Sequence, residues 1–457
     1  MFAFLYTLGI HLSVTLARIV ALFHPKTRKW VEGQNSWQVT VYSLRFTAGG
    51  GPLNSGRRAA SKLSDENHPS FVIQHSSLTP TFWFHAASLG EFEQGRPVIE
   101  AVRKNFPKAK IVLTFFSPSG YEIRKDYDQV DLVCYLPADT PANVNRFLNA
   151  VQPDMALFIK YEFWYNYLNE LKKRQIPTLL FSAIFRPNRL FFKRYGGFYR
   201  KILFCFDHVL VQNKTSEELL KSIGYSNITA AGDTRLDRVA QIAAQAKSYP
   251  EIEAFKGETP LLIVGSAWPD DMEVLIPFLN QFTQPLKVII APHEINTEQI
   301  QKWQSELKRT SLWFTVYSLQ LTKNNPLDTL HSNFDILFLD TIGMLSSIYR
   351  YADFVYIGGA FGDGLHNILE PAVFGVPIFF GKPHYQKFQE AHDLLQLGGA
   401  VSVANAEELT ESFTVVYENQ SVSRQRANIC RDYILKNAGA TEKVMEVIEA
   451  IQSQKGG

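Results

Sequence analysis

Cysteine is scarce in this sequence, and neither sign of charge dominates it. The 457 residues include only three cysteines, Cys134, Cys205 and Cys430, which are far apart and show no Cys-x-x-Cys spacing. This pattern indicates neither a disulfide framework nor a zinc site, and it is typical of a reducing, cytosolic compartment. Lysine and arginine total 46 against 44 for aspartate and glutamate, so the overall charge gives no reason to expect nucleic acid as a partner.

Common cofactor and metal motifs are also missing. No Gly-x-Gly-x-x-Gly follows an early strand with an acidic residue about twenty positions later, and no Gly-Lys-Ser/Thr P-loop occurs. His293, His366 and His384 lack the spacing of metal ligands. The sequence therefore argues against a dinucleotide oxidoreductase and a P-loop kinase, and we expect neither a cofactor nor a metal.

The first 25 residues form a mostly apolar stretch. As a helix rising about 1.5 Å per residue, this stretch would reach roughly the thickness of a bilayer core. No lysine or arginine precedes Arg18, and no small-residue cleavage box follows, so the features of a signal peptide are lacking. We therefore predict an uncleaved membrane-anchor helix over residues 1–25, with a buried helix of a soluble domain as the alternative.

Charge around this stretch predicts its orientation. Lys26, Arg28 and Lys29 follow it directly, and by the positive-inside tendency they would keep the rest of the chain in the cytoplasm. Polar residues within it, among them Thr7 and His11, fall on one helix face and could meet headgroups, protein or water. Spanning the bilayer and lying flat on it both stay open at this point.

After residues 26–80, which show little periodicity and are predicted as a linker or insertion, strand-like runs alternate with helical stretches. Short buried strands in a βα repeat are the signature of a doubly wound parallel sheet. One series fills residues 81–232 and a second fills 233–457, which predicts an α/β protein with two Rossmann-like domains. Ligands of such sheets bind beyond the carboxyl ends of the strands, so two domains facing each other would enclose a cleft. The predicted strands begin at residues 81, 110, 155, 178, 208, 261, 287, 336, 354, 377 and 400.

The segment from His85 to Glu93 follows the first predicted strand. Gly90 allows a sharp turn, and Glu91 then opens the next helix, so its carboxylate is expected at the carboxyl end of the sheet. A glutamate there can act as the general base that takes a proton from an acceptor hydroxyl. The alternative is that Glu91 only favours the N-terminus of its helix.

Two segments of the second half suit an anion. In the first, Gly265 and Ser266 lead through Pro269 into a helix, and Asp270 and Asp271 must then point away from the anion. The second is the glycine-rich stretch 358–371, which follows a predicted strand. In it, glycine lets the backbone approach a phosphate, Asn367 can cap or donate, and Glu370 could accept from a ribose hydroxyl. Tight turns without a ligand are the alternative for these glycines.

The stretch 185–201 carries six basic residues, six aromatic residues and no acidic one. Arginine forks bind phosphate and aromatic rings sit at the headgroup level, so this stretch suits an anionic lipid or a phosphorylated acceptor. A solvated face that packs on its aromatic side is the alternative.

Several blocks in register over more than 370 residues resemble the family of Kdo transferases, which attach 3-deoxy-D-manno-octulosonic acid (Kdo) to the lipid A precursor. The His-Ala-x-Ser-x-Gly-Glu block stands at 85–91, and the Glu-x-Trp-x-Asn block stands at 162–166. Ser182-Ala183, Gly265-Ser266 and the Asp-Thr-x-Gly block at 340–343 follow in order. The most distinctive match is Gly358-Gly359 followed by His-Asn-Ile-Leu-Glu-Pro at 366–371 and Gly-Val-Pro at 375–377.

The resemblance implies a GT-B glycosyltransferase that uses CMP-Kdo, inverts the anomeric centre and needs no metal. It implies an acceptor-binding domain over 81–232 and a CMP-Kdo-binding domain over 233–457, with a C-terminal helix crossing back to the first. It also implies a place on the cytoplasmic side of the inner membrane, with the lipid A precursor as acceptor. Glu91 matches the catalytic base. The implied donor-binding residues are Gly265, Ser266, His293, Gly359, Asn367 and Glu370, and the acceptor-binding ones are Ser88, Glu162, Arg186, Arg189, Lys193 and Arg194.

The sequence departs from the family pattern at two positions. Ala-Pro-His-Glu at 291–294 replaces the Pro-Arg-His-Pro often found there, so an arginine expected near the phosphate is missing, and His293 or Lys382 is the candidate substitute. Lys387 stands where the family often has asparagine. Two other hypotheses stay open: a GT-B transferase with a UDP- or GDP-sugar, and a catalytically silent, membrane-associated relative.

Overall fold

The structure is a computed structural model that describes residues 2–34, 37, 79–322 and 334–456. Most of the predicted linker, residues 38–78, lies outside the described residues. Residues 25–34, however, are helical, and the Gln34 side chain bonds to Leu136 O and to Ala138 N. The indole of Trp37 is buried against Phe147. The prediction of a linker from residue 26 onward is therefore wrong for residues 26–34, because their apolar and amide side chains pack on the first domain.

The chain divides into two compact units. The first contains Met1–Arg238 and Gly439–Gly457, and the second contains Val239–Ala438. The predicted second domain, 233–457, is thus longer than the second unit at both ends. The last helix belongs to the first unit, where Val444, Met445 and Ile448 join the buried core.

The first unit is built on a parallel sheet of seven strands in the order β3-β2-β1-β4-β5-β6-β7. These strands are β1 (Thr81–Ala86), β2 (Lys110–Phe115), β3 (Leu132–Tyr135), β4 (Met155–Ile159), β5 (Thr178–Ala183), β6 (His208–Val211) and β7 (Ile228–Ala230). Successive side chains of a strand point to opposite faces, and in β1 Trp83 joins one core cluster while Phe82 and Phe84 join the other. Both faces of this sheet are therefore buried, as a doubly wound sheet requires.

The described helices of the first unit cover its sheet, and two of them precede its first strand in the chain. They are α1 (Phe2–Val20), α2 (residues 25–34), α3 (Leu89–Asn105), α4 (Pro118–Arg124), α5 (Pro141–Val151), α6 (Tyr165–Lys173), α7 (Gly197–Leu203), α8 (Lys214–Ser222) and, numbered last in chain order, α19 (Ala440–Gly456). The boundary between the two units falls within α9 (Thr234–Ala244).

The second unit has its own parallel sheet of seven strands, in the order β10-β11-β9-β8-β12-β13-β14. The strands are β8 (Leu261–Ala267), β9 (Lys287–Pro292), β10 (Ser311–Trp313), β11 (Ile336–Phe338), β12 (Phe354–Ile357), β13 (Ile378–Gly381) and β14 (Ala400–Val403). The described helices are α10 (Pro250–Lys256), α11 (Pro269–Gln281), α12 (Thr297–Glu306), α13 (Phe314–Thr322), α14 (Leu345–Ile348), α15 (Leu369–Ala372), α16 (Gln389–Leu397), α17 (Ala406–Glu418) and α18 (Gln420–Asn437).

The predicted fold class, α/β with two doubly wound Rossmann-like sheets, is confirmed. Every strand that the sequence pattern predicts is present. Three strands escaped prediction: β3, β7 and β10. Within the described residues, all three are edge strands of three or four residues, and two of them, β7 and β10, are only half-buried, so their sequences show little hydrophobic contrast with their surroundings.

Helix α1 packs on the first unit with one stripe and leaves its other side uncovered. The Tyr6 hydroxyl donates to Asp139 Oδ2 at 2.8 Å, and the Tyr6 ring meets the rings of Tyr165 and Phe198. By length and composition alone, α1 could cross a membrane, and none of its residues is fully buried. The helix side that faces away from Tyr6 exposes large apolar side chains, including Leu12 and Leu16.

Candidate functional site

The strand order of each sheet reverses near its middle, and several predicted site residues, among them Glu91, Ser266 and Gly359, follow the strands at that point. In the first unit this point lies between β1 and β4, and in the second it lies between β8 and β12. Open α/β sheets bind ligands beyond the carboxyl ends of the strands at this reversal, because the adjacent loops diverge there and leave a crevice. We call the residues that follow β1 and β4 the acceptor half-site, and those that follow β8 and β12 the donor half-site.

Glu91 lies in the first turn of α3, directly after β1. Ser88 occupies the N-cap position of α3, but its hydroxyl donates to Glu91 Oε2 instead of capping a backbone N–H group. Gly90 between them is exposed, and a side chain there would meet only Ser88 Oγ within 4 Å. The carboxylate is therefore oriented by a neighbouring side chain and is half-exposed, as a proton acceptor for an incoming hydroxyl must be.

A buried polar cluster closes the base of the acceptor half-site. Glu162 follows β4, and its Oε2 accepts from the indole N–H of Trp164 at 2.6 Å and lies 3.0 Å from His85 Nε2. On the other side of the imidazole, Nδ1 lies 2.9 Å from Thr114 Oγ1. Nδ1 also lies 3.1 Å from the carbonyl oxygen of Thr114, so both ring nitrogens have hydrogen-bond partners. Glu162 thus holds Trp164 and His85 in place.

Tyr161 connects Glu91 to the basic segment, and sequence reasoning missed it. Burial raises the pKa of the Tyr161 phenol, while the positive charges of Arg186, Arg189 and Arg235 lower it and the charge of Glu91 raises it. The Arg189 guanidinium lies 5.7 Å from the centroid of the Tyr161 ring. Tyr161 is therefore close enough to these three arginines and to Glu91 for their charges to act on its phenol. Tyr161 stands two residues beyond the end of β4, which is the signal that could have indicated it.

The rest of the basic segment forms an aromatic core with a charged exterior. Phe191 is buried against Phe163, whereas Arg186, Arg189 and Arg194 are exposed. Within the segment, the Arg200 guanidinium donates to the carbonyl groups of residues 191 and 193 and so holds the loop. The rings are thus structural and the outer cations are accessible, whereas binding of an anionic lipid or a phosphorylated acceptor by those cations stays a prediction.

The donor half-site is organised around Asp271, in the first turn of α11. Its Oδ2 accepts from the backbone N–H of Gly359 at 2.8 Å and from that of Trp268 at 3.0 Å. Its Oδ1 accepts from the Tyr356 hydroxyl at 3.2 Å. The expectation that Asp271 points away from a bound anion stays a prediction, and the side chain is turned toward the backbone of the two loops. Its carboxylate is fully buried and joins the loop after β8 to the loop after β12 through these hydrogen bonds.

This arrangement changes the part that Gly359 can play. Its N–H group serves the contact with Asp271, so its predicted place in donor binding depends on the shape of the loop and not on that N–H group. Gly359 has φ of +94° and Ser266 has φ of +53°, a left-handed backbone that a serine adopts at a cost. Gly265 and Gly358 are buried, and a methyl group at Gly265 would collide with the Tyr349 hydroxyl.

Three aromatic rings stack at the carboxyl ends of β8, β9 and β12. The Trp268 ring lies parallel to that of His293 at 4.1 Å, and its N–H donates to His366 Nε2 at 2.7 Å. Burial and the neighbouring His293 lower the pKa of His366. His293, the predicted donor-binding residue, is exposed beyond the end of β9. Sequence reasoning missed Trp268, although it follows Gly265-Ser266 by only two residues.

Asn367 and Glu370 lie together at the start of α15. The Asn367 side-chain oxygen accepts from Leu369 N at 3.1 Å, and its amide donates to Glu370 Oε1 at 3.0 Å. The charge of Glu370 adds to burial in raising the pKa of Tyr349, whose hydroxyl approaches Gly265. Asn367 therefore caps a turn, as the sequence allowed, and its amide orients Glu370.

Two further observations concern Lys382 and the possibility of a metal site. The Lys382 ammonium lies 2.5 Å from Glu408 Oε2, so this candidate substitute for the missing arginine already holds an acidic partner. Within the ranges 2–34, 79–322 and 334–456, no group of three or more histidine, cysteine, aspartate or glutamate side chains is arranged to hold a metal ion.

Comparison with known proteins indicates the family. Residues 58–238 match the family described as 3-deoxy-D-manno-octulosonic-acid transferase. A protein of that name from Chlamydophila psittaci is 27% identical over 331 residues, which covers 70% of this chain and 73% of that protein. Another from Haemophilus influenzae is 24% identical over 380 residues, covering 80% of this chain and 86% of that protein. The chain is thus similar to Kdo transferases over most of its length, and residues 58–238 carry the domain that their family model describes. This similarity supports a glycosyltransferase.

Solved structures support the fold of this chain. The UDP-GlcNAc 2-epimerase from Neisseria meningitidis bound to UDP-GlcNAc superposes with a TM-score of 0.58 at 15% identity, covering 81% of this chain and all of that chain. MurG from Acinetobacter baumannii superposes with a TM-score of 0.52 at 15% identity, covering 81% and 99%. At this identity the likeness shows the fold alone, which is GT-B with two Rossmann-like units.

Proposed function

We propose that this protein transfers Kdo from CMP-Kdo to the lipid A precursor lipid IVA, with inversion at the anomeric centre and without a metal ion. The observation that carries the proposal is the Glu91 carboxylate, which lies at the reversal point of the first sheet and is held by Ser88. Similarity to Kdo transferases supports Kdo as the transferred sugar, since the matching relatives are named for that transfer.

In the proposed reaction, a hydroxyl of the acceptor binds beside Glu91 and gives its proton to the carboxylate as it attacks the anomeric carbon of Kdo. The bond from that carbon to the CMP phosphate breaks, and CMP leaves with both electrons. Attack from the face opposite the leaving group inverts the anomeric centre. General-base assistance of this kind contributes about 10²–10⁴-fold to the rate.

The leaving phosphate gains charge, and the donor half-site offers two ways to stabilise it. His293 is exposed beside the donor loops and is our candidate for the cation that the family pattern places there as arginine. The loop after β12, fixed by Asp271, holds its backbone in place before the reaction, so no reorganisation is needed when charge develops. Glu370, oriented by Asn367, is our candidate for binding the ribose hydroxyls.

The acceptor is expected to meet the basic segment through its phosphate groups. Arg186, Arg189 and Arg194 are exposed, and Arg189 lies over Tyr161 near Glu91. Arginine binds phosphate through paired N–H groups, which suits a phosphorylated disaccharide. We further propose that α1 lies flat on the cytoplasmic face of the inner membrane, since it packs on the first unit through Tyr6 while its other side is apolar and exposed.

The test is a transfer assay with purified full-length protein in detergent, with CMP-Kdo generated in situ and tetraacylated lipid A precursor as acceptor. Products are read by mass, and an increase of one or more Kdo units is the expected result. The absence of product with CMP binding intact would refute the acceptor, and the absence of CMP binding would refute the donor.

Two sets of variants test the assigned roles. Glu91→Gln keeps the shape of the side chain but removes the base, so we expect turnover to fall by at least about 10²-fold with CMP affinity unchanged. Turnover near the wild-type rate would overturn the base assignment. Reversal of Arg189, Lys193 and Arg194 to glutamate should raise the acceptor KM and leave the CMP-Kdo KM unchanged, whereas an unchanged acceptor KM would contradict their role.

A further inference from the structure

A cavity of about 360 Å³ lies between α1 and the body of the first unit. Its walls are mostly apolar and come from Ile10, Val14 and Ala17 of α1, Trp30 of α2 and Phe116 after β2. The volume falls in the range of small-molecule sites, about 300–1,000 Å³. The fold thus keeps an apolar space at the carboxyl end of its first sheet, where a well-packed interior would contain side chains.

One end of the cavity opens to the outside. Ser13 and Lys26 line the cavity and are both exposed, so they mark its opening. Leu12 and Leu16, on the same helix, are about 60% exposed, at 63% and 60%. Contiguous exposed apolar side chains of this kind indicate contact with a membrane or another apolar surface. The opening therefore lies beside an apolar helix face, with a cation at its edge.

The other end of the cavity reaches the acceptor half-site. The Trp164 ring lines the cavity and lies 5.0 Å from the Phe116 ring, which in turn lies 5.6 Å from the Trp30 ring. The same indole donates its N–H to Glu162, in the cluster with His85. One side chain is therefore shared by the cavity and the half-site, so a ligand that occupies the cavity can also reach the residues that follow β1 and β4.

We propose that this cavity, which we name the acyl cavity, binds one hydrocarbon chain of the lipid acceptor, with the Lys26 ammonium beside an anionic group of the lipid. The inference rests on the proposed function and adds to it a binding site for a defined part of the substrate. Asp139 and Ser117 also line the cavity, but its walls are mostly apolar, so a sugar or nucleotide would leave most of its hydroxyl groups without partners, which is unfavourable. A hydrocarbon chain matches the lining and enters from the exposed apolar face of α1 without crossing water.

Variants that fill the cavity test the proposal by kinetics. Ala17→Phe and Ser13→Phe place a ring inside the cavity and at its opening, and Leu16→Phe places the same ring on the exposed face as a control. We expect the first two to raise the KM for tetraacylated acceptor about tenfold or more, because even one methylene in a pocket changes discrimination by that factor. The KM values for CMP-Kdo and for a deacylated acceptor should not change. An equal effect on acylated and deacylated acceptors would overturn the proposal.

Photolabelling provides a readout that does not require transfer. Wild-type protein is irradiated with an acceptor lipid that carries a diazirine near the end of one acyl chain, and labelled peptides are located by mass spectrometry. Label in residues 10–17, 26–30 or 116–118, lost in Ala17→Phe and kept in Leu16→Phe, supports the acyl cavity. Label spread over other exposed surfaces, with none in these residues, would overturn it. Label in the cavity of a protein that transfers no Kdo would refute the proposed function alone.

Discussion

Gly358 is the position where a single methyl group should damage the donor half-site most directly. Gly358 lies at the start of the loop after β12, beside the loop after β8. A β-carbon built on it would lie 2.5 Å from Asp271 Oδ2 and closer still to the carbonyl oxygen of Ser266. An ordinary carbon–oxygen contact needs about 3.3 Å or more. The variant Gly358→Ala must therefore push the loop after β8 away from the loop after β12 by about 1 Å.

The expected cost follows from that displacement. Forcing one extra methyl group into a packed site costs about 1–3 kcal/mol of unfolding free energy. A 1 Å misplacement of substrate-positioning groups lowers catalytic efficiency by about 10²-fold. We therefore expect Gly358→Ala to lose about 10²-fold in kcat/KM, with weaker CMP binding by calorimetry, while thermal unfolding stays cooperative.

A matched control exists in the same glycine-rich stretch. A β-carbon at Gly362 would meet only the Asp270 carboxylate, at 2.9 Å, and this carboxylate ends an exposed side chain that can rotate away. Gly362→Ala should therefore keep CMP affinity and turnover close to the wild-type values. Wild-type affinity and kcat/KM in Gly358→Ala would refute the reasoning, since they would show that the two loops separate without consequence.

Three further predictions concern other parts of the molecule. Burial raises the pKa of Asp139 to about 6. The folded state therefore binds this proton more tightly than the unfolded state, and the unfolding free energy should fall by up to about 3 kcal/mol as the pH rises from 4 to 7. Thermal unfolding of Asp139→Asn should lack that part of the pH dependence, and the same pH dependence in the variant and the wild type would contradict the prediction. Ser88→Ala should lower kcat about three- to thirtyfold by releasing the Glu91 carboxylate, but should have no effect in a Glu91→Gln background, and an additive loss would show that the hydroxyl acts elsewhere. Trp268→Phe removes the N–H donated to His366, so the His366 pKa followed by NMR should rise, and an unchanged value would exclude that bond.

Much of this fold can be predicted from the sequence because the hydrophobic pattern of most strands matches their burial in the folded protein. Strands such as Met155–Ile159 are buried on both faces, so each is a continuous apolar run, and the alternation of such runs with helices predicts a parallel sheet. The short edge strands lack that agreement, since Ile228–Ala230 is half-buried and has no contrast with its neighbours. The helix at residues 25–34 was hidden for another reason, because it is held by contacts with distant residues, such as that of Trp30 with Phe116 and that of Gln34 with Leu136, and these leave no periodic pattern in its sequence.

The candidate site divides in the same way. Glu91 and the glycine loops could be proposed from sequence, because their positions directly after predicted strands place them at the carboxyl ends of a sheet. The direction of the Asp271 side chain could not, because two carboxylates at a helix start look alike until the partner loop is present. Asp271 accepts from Gly359, which is 88 residues away. Tyr161 and Trp268 escaped notice because aromatic residues near strand ends are usually core residues.

The order of residues along the chain is enough to predict most of the helices and strands, the family resemblance and the residue types available for chemistry, because these depend on local pattern. Which groups meet follows only from tertiary packing: Ser88 bonds to Glu91 rather than to the backbone, Asp271 lies between two loops, and a cavity lies under α1. Hydrogen bonds and cavities depend on distances of a few ångströms between segments far apart in sequence. Such distances arise only when the whole unit packs, so no local pattern encodes them.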